Sequence, residues 1–119
     1  MTFDLTDPLR GIIPEEYQLT TQDGTSLSDF SALYCDSNNN SIYILAQSKN
    51  SVSGSDLEGS DSVQEFYIYS CDAILATEGD ITRLMVRDEE HAVTFTFILS
   101  GDPNLDAIEI ADDFLRIIP

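Results

Sequence analysis

The chain has 119 residues, of which twenty-two are Asp or Glu and five are Lys or Arg, for a formal net charge of −17. Such a charge excludes nucleic acid and anionic membrane as direct partners, because both repel it, and favours basic proteins and cations. A 42% hydrophobic content with six Phe and five Tyr excludes a disordered acidic tail, so a single acidic domain over 1–119 is expected.

In chain order, Asp7-Pro8 and Ile13-Pro14 punctuate an irregular N-terminal arm with one helical turn. Asp23-Gly24 lies between the Thr-rich runs 17–21 and 25–30, which predicts a β-hairpin turning at 22–24. Ser37-Asn38-Asn39-Asn40 separates 31–36 from 41–47 and predicts a second hairpin. Both faces of 41–47 carry apolar residues, as suits an interior strand.

Residues 48–63 hold six Ser, two Gly and no aromatic, the composition of a flexible loop. Ser55 and Ser62 each have a Glu three positions on (Glu58 and Glu65), a spacing that acidophilic kinases favour, within what reads as a solvated linker. Strand character resumes over 64–70 and again over 73–77, before a turn at Glu78-Gly79-Asp80. A third hairpin is predicted from 81–87 and 92–99 around Asp88-Glu89-Glu90-His91, with Val93, Phe95, Phe97 and Leu99 on one apolar face.

The last element predicted is a helix over 103–117, with Asp102 as N-cap and Pro103 in the first position. Its apolar arc holds Ala107, Ile108, Ile110, Ala111, Phe114, Leu115, Ile117 and Ile118. Phe95, Phe97, Ile108, Ala111, Phe114 and Leu115 are the expected shared core. Asp106, Glu109, Asp112, Asp113 and Arg116 form the wet arc. The fold class expected is α+β, a mostly antiparallel sheet or partly open barrel of about seven short strands with one C-terminal amphipathic helix. In element order this resembles the pleckstrin-homology superfold. That resemblance implies a protein-docking adaptor or assembly subunit, while the acidic surface argues against phosphoinositide binding.

No motif specifies a reaction. His91, the one histidine, sits beside Glu89 and Glu90, and Cys71 and several Ser supply nucleophiles, but no Gly-x-Ser-x-Gly elbow marks one of them. Two distant cysteines and one histidine make no zinc spacing, and the acids of 55–62 lack EF-hand periodicity. Neither a Walker nor a dinucleotide-binding pattern occurs. No enzyme activity, metal or cofactor is therefore expected.

No stretch reaches the ~20 apolar residues of a membrane span, and the N-terminus reads as lacking a secretory signal. Cys35 and Cys71 are expected reduced in the cytoplasm, or in a host cell's cytoplasm if the chain is phage-encoded. Halophilic adaptation is the alternative source of such charge. Twelve Ile against four Val, with Ser- and Asn-rich loops, argue for an AT-rich genome instead.

Charge and size carry the functional expectation. A domain of this length is ~35 Å across, and a duplex that long bears about twenty phosphates, close to the twenty-two carboxylates here. The expected role is an acidic, non-enzymatic protein occupying the basic, nucleic-acid-binding surface of a partner. Anti-restriction, anti-CRISPR and toxin-immunity inhibitors exploit the same physics. The candidate contact residues are Asp106, Glu109, Asp112 and Asp113 on the helix, joined by Asp88, Glu89 and Glu90 in the last turn.

Overall fold

A computed structural model describes residues 6–48, 62–69 and 71–118. Seven strands and one helix follow one another: β1 (Gln18–Ser26), β2 (Asp29–Cys35), β3 (Ser41–Gln47), β4 (Ser62–Ile68), β5 (Cys71–Glu78), β6 (Ile81–Asp88), β7 (Val93–Ser100) and α1 (Ala107–Ile117). The strands form one antiparallel sheet in the order β1-β2-β3-β7-β6-β5-β4. Two meanders thus meet at the β3–β7 pair, where Ile44 opposes Phe97. Of the two forms expected, the sheet takes the open one, with β1 and β4 as its edges. No helix among the described residues is long and apolar enough to cross a membrane.

Period-two alternation explains which side is packed. Phe30, Ala32 and Tyr34 of β2, Ile42, Ile44 and Ala46 of β3, Leu84 and Val86 of β6, and Val93, Phe95, Phe97 and Leu99 of β7 belong to one buried cluster. The helix closes this face with Ala107, Ile110, Ala111 and Phe114, and the N-terminal arm adds Leu9 and Tyr17. The arm is tied down by polar contacts: Leu9 N–H donates to Tyr34 Oη at 2.9 Å, and Tyr34 donates to Asp7. Phe114 is the centre, its ring 5.0 Å from Phe95, 5.7 Å from Phe97 and 6.4 Å from Phe30. The other face holds a smaller cluster of Ile74, Ala76 and Met85.

Three expectations need correction. The first hairpin does not turn at Asp23-Gly24: β1 runs through both residues, and the turn is at Leu27-Ser28. Gly24 instead forms a bulge, with the register shifting between Gly24 and Ser26. Its φ of +89° suits glycine, and a Cβ there would collide with the Asp29 carbonyl.

Helix α1 also begins later than predicted. Asp102 is not the N-cap, because its carboxylate accepts from Asn104 N–H at 2.9 Å and from Tyr17 Oη at 3.1 Å, making a local turn around Pro103. The N-cap is Asp106, whose Oδ1 accepts from the N–H groups of Ile108 at 3.0 Å and Glu109 at 3.2 Å.

Ile108 is not in the core, because the buried stripe of α1 is Ala107, Ile110, Ala111 and Phe114. It lies about 100° from Ala107 and is 39% exposed.

The second and third hairpins form as expected, and the 73–77 segment is a full strand, Cys71–Glu78. Strand β4 starts at Ser62 and carries Glu65, whereas Ser55 and Glu58 lie outside the described residues. Strand β3 ends at Gln47 beside Thr94, at the opposite end of the sheet from Ser62, which pairs with Thr77.

Candidate functional site

One end of the sheet gathers most of the groups capable of chemistry. Strand β5 starts at this end with Cys71 and Asp72, β6 finishes there with Arg87 and Asp88, and the Glu89–Glu90 turn follows. Tyr69, Cys71, Asp72, Arg87, Asp88, Glu89 and Glu90 line a cavity of about 300 Å³. A second cavity of about 190 Å³ shares Tyr69, Cys71, Asp88 and Glu90 and adds His91, Leu115 and Ile118. The C-terminal turn of α1 therefore forms one wall of the cleft. Arg116 ties that turn to the strand end, its Nε–H donating to Tyr69 Oη at 2.7 Å.

The seven candidate residues fall into two groups. Glu89 and Glu90 are exposed on the cleft rim. Asp88 is only 6% exposed, and its carboxylate lies 2.7 Å from His91 Nδ1. It anchors the turn, also accepting from His91 N–H at 3.3 Å.

On α1, Asp112 is ion-paired to Arg116 across one turn, and Asp113 lies 3.8 Å from the same guanidinium. The acidic stripe is thus partly neutralised from within. Asp106 is spent on capping, ten residues and ~15 Å from Arg116. Glu109 stands exposed between the two ends. The structure brings Asp88, Glu89 and Glu90 beside the helix C-terminus and leaves Asp106 at the far end.

Asp72 was not a sequence candidate, yet it joins the rim. The pairing of Asp72 with Arg87, and of Arg87 with Thr94, sets these three on one face of the sheet. The signal in the sequence is the period of two: Arg83, Met85 and Arg87 alternate with Leu84 and Val86, which face the helix.

The cleft holds a thiol, an imidazole and a carboxylate, but its electrostatics oppose thiolate chemistry. Burial pushes the Cys71 thiol pKa up, and the charges of Asp88, Asp72, Glu89 and Glu90 push it further. A cysteine nucleophile needs the opposite shift. The thiol donates weakly to the Tyr69 carbonyl at 3.8 Å. Asp88, Glu90 and His91 each offer a ligand atom within 4.8 Å of the others, a mixed carboxylate–imidazole donor set of the kind that suits a divalent transition metal rather than a hard cation.

Cys35 and Cys71 are free thiols. They sit on β2 and β5, with β3, β7 and β6 between them. Four strand spacings are ~19 Å, far beyond the reach of a disulfide.

No family model, no curated protein sequence and no solved structure matches this chain.

Proposed function

We propose that this protein is a non-enzymatic acidic binding protein that occupies the basic, nucleic-acid-binding surface of a partner protein. The observation carrying this reading is the convergence of Asp72, Asp88, Glu89 and Glu90 on one cleft at the sheet end. The helix face bearing Glu109, Asp112 and Asp113 leads into that cleft through Arg116 and Tyr69. Four carboxylates around one opening create a concentrated negative potential, which attracts Lys and Arg and speeds encounter. The body measures 33 × 32 × 21 Å, and a duplex of that length carries about twenty charges.

The test is retention of a partner by the immobilised protein from a lysate of the native host. The expected partner is basic, is released at about 1 M salt, where the Debye length is ~3 Å, and is displaced by added duplex DNA. The Glu89→Lys/Glu90→Lys/Asp113→Lys variant, with an unchanged melting curve, should not retain it. Equal retention by that variant, or a partner that duplex DNA does not displace, overturns the proposal.

A second reading, a docking adaptor, draws on β4, an edge strand of the sheet among the described residues. Val63 is 46% and Tyr67 74% exposed on this edge strand, and Tyr69 beyond it is 57% exposed. Such an edge suits addition of a partner strand. Binding there depends on backbone hydrogen bonds and apolar contact, so it should survive high salt.

A further inference from the structure

Arg87 is the one feature of the cleft that an acidic surface alone does not explain. Its side chain lines the 300 Å³ cavity, only 8% of the residue is exposed, and its Nε and Nη1 are sealed from solvent with no hydrogen-bond partner. Thr94, directly opposite on β7, is 1% exposed and its hydroxyl is also unpartnered. Two buried guanidinium nitrogens without a hydrogen-bond partner are strongly unfavourable. The cost persists although Asp72 pairs with Arg87 across β5 and β6. Of the two, Arg87 alone lines the cavity, and its planar guanidinium is suited to a carboxylate.

The walls narrow the class of ligand. Asp72, Asp88, Glu89 and Glu90 surround the single guanidinium, an excess of three negative charges that repels a free phosphate or a simple anion. A ligand that delivers a carboxylate here must bring cations with it. Building on the acidic-surface reading above, we infer that the Arg87 cavity binds a carboxylate flanked by cationic groups, with the carboxylate on the Arg87 guanidinium and the cations against Asp72, Glu89 and Glu90. Arg87 already lines the cavity, so a change of side-chain rotamer is all that the seat requires of it. A surface evolved to hold nucleic acid and to do chemistry on it presents such a pattern, with acidic side chains set among Lys and Arg. A free basic amino acid presents it in miniature.

The experiment titrates the ¹⁵N-labelled full chain with three probes: the blocked peptide acetyl-Lys-Asp-Lys-amide, its acetyl-Lys-Asn-Lys-amide counterpart and free L-arginine. The Asp peptide should move the Arg87 Nε–H resonance and bind about tenfold or more tighter than the Asn peptide, the worth of a charge-assisted hydrogen bond. Arg87→Gln should bring the two peptides to equal affinity. Arg87→Lys, which keeps the charge but loses the planar fork, answers the same question if the Gln variant does not fold. A response to L-arginine matching that to the Asp peptide identifies an amino-acid ligand, and a response to the peptide alone identifies a partner segment; both support the seat. Equal peptide affinities with an unmoved Arg87 resonance overturn it. If both peptides then still bind, and Glu89→Lys/Glu90→Lys abolishes that binding, the acidic-surface reading stands while the carboxylate seat falls. If neither peptide perturbs any cavity resonance at millimolar concentration, both fall.

Discussion

Replacing Phe114 by Ala removes the ring on which the two layers meet. Phe114 is fully buried and packs against Phe30, Phe95 and Phe97, with ring centroids 5.0–6.4 Å away. A Phe→Ala change in a core costs about 3–5 kcal/mol, through lost transfer energy and the cavity left behind. The site should lie toward the upper end of that range, because it cannot collapse easily. Phe95 and Phe97 are held by the β7 ladder between β3 and β6, and Phe30 is held on β2. Two of the three ring pairs meet edge to face, at 74° and 75°, and such a pair adds about 0.5–1.5 kcal/mol beyond its buried area.

At this chain length 1 kcal/mol corresponds to about 4 °C in Tm, so Phe114→Ala should melt about 15–20 °C below the parent. The assay is thermal unfolding followed by circular dichroism, with a urea titration to check the free energy. Ile108→Ala, on the same helix but 39% exposed, is the control and should lose no more than about 1 kcal/mol. A fall of less than about 6 °C for Phe114→Ala, or equal falls for the two variants, would show that the helix does not seal the sheet through this ring.

Other expectations follow from single contacts. Asp106→Ala should cost about 0.5–2 kcal/mol by uncapping α1, and Asp102→Ala should leave helix content unchanged in far-UV spectra, since Asp102 does not cap it. Both thiols should react with a thiol reagent after unfolding without reductant, because four strand spacings separate them. In the native protein Cys71 should alkylate slowly until the pH passes above its ordinary 9.0. Because its folded pKa is raised, the associated stability is complete below the unfolded value and is lost as pH rises through the folded one. Desolvation pushes the Asp36 carboxyl up, but hydrogen bonds from the Asn40 side chain and from the Asn40 and Asn38 N–H groups outweigh it and hold its pKa below 3.8. Its contribution is therefore present above that value and is lost as pH falls through the lowered one. The stability gap between the parent and Asp36→Ala, measured by urea titration across pH, should be constant near neutrality and close in acid.

Alternation and turn chemistry were enough to read most of the fold from the chain. The 36–40, 79–80 and 89–92 turns, the apolar faces of β3 and β7, and the amphipathic arc of α1 are local patterns, set by side-chain period and by residues that suit turns. Local rules failed where two local readings compete. Asp23-Gly24 satisfies a hairpin turn as well as a bulge, and the close approach of the Asp29 carbonyl decides for the bulge. Asp102 and Asp106 both suit an N-cap, and the distant Tyr17 hydroxyl that Asp102 accepts from helps hold it in the preceding turn.

The site depended still more on tertiary structure. Glu89 and Glu90 were visible as an acidic turn, but pairing of β5 with β6 is what brings Asp72 to the same rim. Antiparallel packing of α1 then presents Leu115 and Ile118 as a wall. A charge count says how much negative potential a chain carries, whereas only strand order and register say where it concentrates. Arg87 illustrates the difference: in the sequence it is one of four arginines, and the burial of its Nε and Nη1 without a hydrogen-bond partner exists only once β5, β6 and β7 stand side by side.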